Sequence, residues 1–105
     1  SIFHWPCILK LTGDDELIFV KNHDAFIADC SDMILQNEDR LIDSQGNTFS
    51  IVNTTSPLTL RPTDVRIDAM QASTLIQEHE FANAQVCIIK MHFTSVEQAI
   101  KAIEN

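Results

Sequence analysis

The sequence predicts an α+β fold in which helices pack on a mainly antiparallel sheet. Short apolar runs separated by turn residues indicate two β-hairpins, and longer stretches with apolar residues three and four positions apart indicate helices. A chain of 105 residues is long enough to bury a core of its own. Hairpins pair their strands antiparallel, so we expect a single globular domain over residues 1–105, with a sheet of two hairpins plus a central strand.

The first hairpin is predicted in the opening segment WPCILKLTGDDELIFV. Two apolar runs, Cys7 to Leu11 and Leu17 to Val20, flank a tetrad with the glycine and aspartates that are typical of turns. The acidic cluster Asp14-Asp15-Glu16 is therefore expected at a loop tip. Trp5 precedes a proline, which favours extended backbone, and we expect its ring to cover one face of the sheet.

The pattern after Val20 changes to helical spacing. Asn22 is a suitable N-cap, and the apolar positions that follow it predict a helix over about residues 23–31. The run Met33-Ile34-Leu35 is then either a brief strand or an apolar connection.

A second hairpin is predicted from Arg40 to Val52. Gly46 suits the left-handed position of its turn, and apolar and polar residues alternate on the strand that follows. Leu58 to Arg61 adds a further short strand. We expect Pro62 to end that strand, because proline lacks the N–H of a ladder hydrogen bond.

Three more elements are predicted in the second half of the chain. Asp68 is a good N-cap for a helix over about residues 69–83. The nearly continuous apolar run from Val86 to Phe93 is typical of a central strand covered on both sides, or nearly so. Either residue of the pair Thr94-Ser95 can cap a last helix over about residues 95–104. These patterns leave the order of the strands open.

The charge balance excludes several classes of partner. Seven Lys and Arg against 15 Asp and Glu give a net charge of −8, spread along the chain. Such a field repels phosphate backbones and anionic lipids, so we expect no nucleic-acid and no membrane partner. The apolar runs are too short to cross a bilayer, and no secretory signal opens the chain. Three cysteines without a Cys-x-x-Cys spacing argue against a disulfide framework, so we expect a reducing, cytoplasmic environment.

Cysteine and histidine occur together in two places that could carry chemistry. Cys7 lies three residues after His4, which could be half a metal site or a thiol with its base, but a free cysteine at a strand start is usually a small buried hydrophobe. Cys87 and His92 are five residues apart on a predicted strand, so they point to opposite faces and cannot hold one ion.

Other familiar site patterns are weak. Asp14-Asp15-Glu16 and the segment from Asp43 to Asn47 lack the acidic spacing of an EF-hand loop, so both are better interpreted as solvated turns. There is no GxSxG elbow, and two glycines are too few for a phosphate-binding loop. We therefore predict no catalytic residue, no cofactor site and no metal site.

His79 is expected on the apolar face of the long helix. As ordinary structure it would be neutral, hydrogen-bonded to a backbone carbonyl and partly exposed near the sheet rim. As a functional group it would be a general acid or base. That role would need a carboxylate from another element, such as Asp29 or Asp43.

Three segments, WPCILKLTGDDELIFV, DRLIDSQGN and CIIKMHFTSVEQAI, resemble those of a small family of uncharacterised gamma-proteobacterial proteins. This domain-of-unknown-function family spans nearly the whole chain. The resemblance implies a compact stand-alone domain, and it carries no activity, so no residue inherits a catalytic role from it.

Two functions remain open. The first is a non-enzymatic accessory or protein-interaction domain of the cytoplasm, in which an exposed sheet edge or an apolar helix face meets a protein partner or a second copy. The second is a small-ligand-binding protein or minor enzyme that uses His79 as acid or base, with Cys87 lining a pocket between the long helix and the sheet. This alternative predicts a concave pocket that contains His79.

Overall fold

The structure, a computed structural model, describes residues 3–54, 58–84 and 92–104. These residues form a five-stranded antiparallel sheet and three helices, so the predicted α+β fold is confirmed. The strands are β1 Cys7–Lys10, β2 Leu17–Val20, β3 Arg40–Ile42, β4 Asn47–Val52 and β5 Thr59–Arg66. The helices are α1 His23–Cys30, α2 Ala69–Ala84 and α3 Val96–Lys101. None of these three helices has the length and apolar composition of a membrane span.

The strands lie in the order β2-β1-β3-β4-β5, each antiparallel to its neighbours. Strands β1 and β2 form the first predicted hairpin and β3 and β4 the second, with Gly46 at a φ of 86° in its turn. The predicted strand from Val86 to Phe93 falls mostly outside the described residues, so it stays a prediction. Of its residues only His92 and Phe93 are described, and neither is in a strand. Strand β3 takes the centre of the described sheet.

Alternating side chains divide the core between the two faces of the sheet. On one side, which we call the α2/α3 face, the strand residues Ile8, Leu17 and Ile42 pack against buried residues of the two later helices, namely Ala72, Ile76, Val96, Ala99 and Ile100. On the opposite side, the α1 face, the buried cluster comprises Cys7, Leu9, Val20, Leu41, Phe49 and the α1 residues Phe26 and Cys30. Trp5 packs against this second cluster, as predicted.

All three helices begin with a side-chain cap at a predicted residue. Asn22 and Ser95 each accept a hydrogen bond from the backbone N–H three residues later, at 2.9 and 3.1 Å. Asp68 and Gln71 cap each other's backbone N–H groups at 2.8 and 2.9 Å. Such caps satisfy N–H groups of the first turn that have no partner within the helix, and each typically contributes about 1 kcal/mol.

Two details differ from expectation or settle an open choice. The strand predicted to end at Pro62 instead continues to Arg66. Among the described residues β5 pairs with β4 alone, and a residue without an N–H is tolerated in such an edge strand. The run Met33-Ile34-Leu35 is a connection and not a strand, with Ile34 98% exposed.

Candidate functional site

His79 joins the long helix to the sheet through its ring. The side chain is only 8% exposed, and its Nδ1 accepts a hydrogen bond of 2.7 Å from the backbone N–H of Leu17. The sequence predicts a backbone carbonyl as the partner of His79, and this prediction is wrong. The partner is a backbone N–H, because the N–H of Leu17 at the start of β2 points toward α2. An amide can only donate, so Nδ1 supplies a lone pair and the proton of the neutral ring is on Nε2.

A cavity of about 510 Å³ lies beside His79, between α2, β2 and the end of α3. This is the predicted place for a pocket with His79. The predicted contribution of Cys87 falls outside the described residues. The apolar lining includes Leu17 and Ile103, and the polar lining consists of His79, Glu16, Glu80, Asn83 and Glu104.

His79 lines this cavity, and its second ring nitrogen, Nε2, takes no part in the bond to Leu17. Within the described ranges, the bond from Leu17 is the only hydrogen bond to the ring, and no fully buried side-chain nitrogen or oxygen lacks a partner. The ring can donate a hydrogen bond from Nε2, but the lone pair that a general base needs is already engaged at Nδ1.

The buried carboxylates serve the fold and do not pair with His79. Asp43 is fully buried, and its Oδ1 accepts from the N–H groups of Gln45 and Asn47, both at 2.9 Å, which shapes the turn of the second hairpin. Asp29 is exposed on α1. The acid–base dyad considered from the sequence is therefore not formed by either carboxylate.

Sequence reasoning did not single out Asp39, which is 2% exposed. Burial alone would raise the pKa of this carboxyl. The hydrogen bonds from Thr12 and Gln36 outweigh that effect, together with the charge of Arg40, so the pKa is lowered below its ordinary value. Asp39 is a structural carboxylate that stays ionised.

The described thiols, Cys7 and Cys30, are buried, and their environment favours the protonated form. The Cys7 thiol donates to the backbone carbonyl of His4 at 3.8 Å, and not to its imidazole. Burial, followed by the nearby charge of Asp43, raises the pKa of Cys7 far above its usual range. Burial and then Asp29 raise the pKa of Cys30 to about 11. Across residues 3–54, 58–84 and 92–104 no three His, Cys, Asp or Glu residues are grouped so that they could hold a metal ion.

The acidic loop between β1 and β2 is a solvent-exposed turn. Gly13 has a φ of 77°, and the Asp14 carboxylate accepts from the Glu16 N–H at 2.9 Å. The three carboxylates of Asp14, Asp15 and Glu16 are all exposed, as predicted.

Three cations form one row across the sheet, a feature that sequence reasoning missed. Lys10 lies opposite Arg40 on β3, and Arg40 lies opposite Ser50 on β4. Ser50 in turn lies opposite Arg61 on β5. Opposite residues project from the same face, and Lys10 is also opposite Leu17 of the α2/α3 cluster. We call Lys10, Arg40 and Arg61 the cationic row; it lies on the α2/α3 face.

The helices cover only part of that face. Within the described residues, the cluster beneath α2 and α3 draws on β1, β2 and β3 but on neither β4 nor β5. Thr48 and Thr63 share a hydroxyl–hydroxyl hydrogen bond, which places Thr63 on the same face, and Arg61 is two residues from it. Ser50 and Thr63 are half-buried and Arg61 is exposed. We call Arg40, Ser50, Arg61 and Thr63 the open shelf.

The comparisons with known proteins agree with the predicted resemblance. The profile of a family described as protein structure with unknown function, DUF4144, matches residues 5–103. The chain belongs to the DUF4144 family. This DUF4144 chain is also similar to a protein from Shewanella amazonensis, a gamma-proteobacterium, whose structure was solved by NMR. The two share 29% identity with a TM-score of 0.71, over 98% of this chain and 91% of the other. No curated protein matches the chain.

Proposed function

We propose that this DUF4144 chain is a non-enzymatic protein-interaction domain that docks a partner on the open shelf. The observation that carries the proposal is the uneven cover of the α2/α3 face, where the buried cluster beneath the helices takes no described residue from β4 or β5. One exposed apolar side chain extends the surface, since Val65 is 60% exposed and follows Thr63 by two residues on β5. Exposed apolar groups beside polar ones are common where proteins meet.

The open shelf is a better docking surface than the free edge of β5. Pro62 lies in the middle of β5 and has no N–H to offer to an added strand. Charged residues at Arg61, Asp64 and Arg66 also follow one another closely along β5. Proline and charges are the means by which edge strands avoid pairing with other chains.

The state of the thiols supports a cytoplasmic location. Cys7 and Cys30 are free and buried, which suits a reducing compartment. Their raised pKa values leave little thiolate, and the buried carboxylates are engaged by the backbone. These features support a binding role without chemistry.

Site-specific photo-crosslinking tests the docking proposal. A photoreactive residue placed at Ser50 should crosslink one protein in a lysate of the organism that encodes the chain, whereas the same residue at the exposed control position Lys21 should not. The purified partner should then form a defined complex in native mass spectrometry and slow hydrogen exchange in β4 and β5. Equal crosslinking at the two positions, or a complex that protects other elements, would contradict the proposal.

A second candidate function rests on the His79 cavity. The Nε2–H donor at the cavity wall could fix a small polar ligand, while the engaged Nδ1 disfavours an acid–base role. A small-molecule screen by amide NMR should then find ligands that move the Leu17 amide resonance, which reports on Nδ1 directly. A broad screen in which that resonance never moves would remove this candidate.

A further inference from the structure

We infer that the docked partner presents an acidic, extended segment whose carboxylates bind the cationic row of Lys10, Arg40 and Arg61. The inference rests on the proposed docking role and adds the chemistry of the partner. Its basis is the register of four strands, which brings these side chains together on a protein whose net charge is −8.

Among the described residues, no carboxylate forms an ion pair with the three cations of the row. In the part of the chain that the structure describes, the only ion pair is that of Lys101 with Glu97 on α3. Like charges directly opposite each other in a sheet are destabilising, and Lys10 lies opposite Arg40. With 15 acidic residues available, the fold nevertheless places none of them within ion-pair distance of this row. A bound carboxylate would turn this repulsion into attraction.

Neutral backbone groups hold two of the three side chains in place. Lys10 donates to the carbonyl of Asp14, and Arg40 donates to the carbonyls of Asn37 and Asp39 at 2.6 and 2.9 Å. A carbonyl orients a cation but does not neutralise it. The Asp39 carboxylate, which does feel the Arg40 charge, is 2% exposed and is engaged by other donors. The Arg61 guanidinium has no partner among the described residues and is exposed.

The length of the row favours a segment over a small anion. Neighbouring strands lie about 4.8 Å apart, so the three strand spacings from Lys10 to Arg61 span roughly 14 Å. One carboxylate or phosphate cannot reach all three cations. An extended chain presents alternate side chains about 7 Å apart, which lets two or three carboxylates reach the row, and arginine binds carboxylates through paired hydrogen bonds.

The net charge of the protein does not rule out an acidic partner. At physiological ionic strength charges are screened over about 8 Å, which is shorter than the row. A carboxylate placed between Arg40 and Arg61 therefore feels these two cations more strongly than it feels acidic residues beyond that screening distance. A nucleic acid is a poorer occupant, because its many phosphates would extend beyond the row onto those acidic residues.

Peptide binding tests the inference. The probe is a fluorescein-labelled peptide of alternating glutamate and threonine, and its control replaces every glutamate by glutamine. By fluorescence anisotropy at low salt, the acidic peptide should bind and the glutamine peptide should bind at least about tenfold more weakly. Its affinity should fall as salt rises, and its amide shift changes should centre on Lys10, Arg40, Ser50 and Arg61.

Two matched variants separate the row from overall charge. Arg61→Glu should lower the affinity for the acidic peptide about tenfold or more. Lys21→Glu makes the same change of charge at an exposed site away from the row, and it should change that affinity less than about twofold. Both side chains are exposed, so both variants should fold, and their thermal unfolding checks this. An equal effect of the two variants overturns the inference.

The outcomes distinguish this inference from the docking proposal. If the Ser50 crosslink succeeds but the crosslinked partner segment is not acidic, docking stands and the cationic row is not its determinant. If Ser50 and Lys21 crosslink alike, docking itself fails. Full displacement of the peptide by inorganic phosphate at micromolar concentration would instead indicate a small-anion site. A dimer in native mass spectrometry without any partner would indicate that a second copy of the chain occupies the surface. Either result would overturn the inference that an acidic partner segment binds the cationic row.

Discussion

The Asp39 carboxylate binds both the backbone N–H and the hydroxyl of Thr12, at 2.7 and 2.6 Å. The two residues are 27 positions apart, and the second carboxylate oxygen accepts from the Gln36 N–H at 2.7 Å. Asp39 thus ties the loop after β1 to the segment that leads into β3. Since this loop and β3 both flank β1, the contact helps to hold the sheet centre that positions Lys10 and Arg40.

The lowered pKa of Asp39 predicts a loss of stability in acid. A carboxyl whose folded pKa lies below its unfolded value, here 3.8, stabilises the fold above that value and loses this contribution as pH falls through the folded pKa. At neutral pH Asp39→Asn should cost about 1–3 kcal/mol, because an amide N–H₂ would face a donor. Urea unfolding across pH 2–7 should show that the difference in the free energy of unfolding between the wild-type protein and the Asn variant shrinks below about pH 4. A difference independent of pH would contradict the assignment.

Two glycines with positive φ predict unequal costs of an added methyl group. A Cβ at Gly46 would lie 2.1 Å from the carbonyl oxygen of Ile67, whereas a Cβ at Gly13 would meet nothing within 4 Å. Gly13→Ala should cost about 1–2 kcal/mol for its left-handed backbone alone. Gly46→Ala should cost more than about 3 kcal/mol, since the backbone must also move. Equal urea midpoints for the two variants would show that the Ile67 contact is unimportant.

The His79 hydrogen bond predicts a difference between two substitutions. Asn can place its side-chain oxygen near the position of Nδ1 and keep an acceptor for the Leu17 N–H, whereas Leu cannot. His79→Leu should lower the free energy of unfolding by about 1–3 kcal/mol, because the buried N–H of Leu17 loses its acceptor. His79→Asn should lose less, because it keeps an acceptor for that N–H. Hydrogen exchange at the Leu17 amide is the direct measurement: it should accelerate in the Leu variant and stay slow in the Asn variant. Acceleration in both would contradict the role given to Nδ1.

The raised thiol pKa values predict slow alkylation of the native protein. With a pKa of about 11, about one Cys30 thiol in a thousand is ionised near pH 8, and burial slows its reaction further. In a Cys87→Ser background, iodoacetamide should leave Cys7 and Cys30 unmodified in the native state and label both in guanidinium, as measured by mass spectrometry. Native labelling at the rate of a free thiol would show that one of them is exposed.

The elements that were predicted correctly depend on neighbours close in sequence. The caps at Asn22, Asp68 and Ser95 need only a residue three positions later, and the turn at Gly46 needs only a backbone that tolerates positive φ. Pro62 was assigned wrongly because a proline stops a strand only where its missing N–H would have had a partner. Whether that N–H would have had a partner depends on the place of β5 in the sheet, which the local sequence does not reveal.

The candidate sites were less predictable. His79 was recognisable as an ionisable group on an apolar helix face, but its partner Leu17 is 62 residues away, and nothing local indicates a backbone N–H in place of a carbonyl. The cationic row has no local signal at all. Lys10, Arg40 and Arg61 become neighbours only through the strand order and register.

By itself, the sequence determined the α+β class, the two hairpins, the helix caps and the family. Periodicity, turn chemistry and capping act over a few residues, so they can be recognised without knowledge of the fold. Only the tertiary structure decided which strand lies at the centre, which carboxylates are buried and which cations face one another. Those features follow from burying two apolar faces at once, and this requirement selects one strand order and register among many that the same local patterns allow.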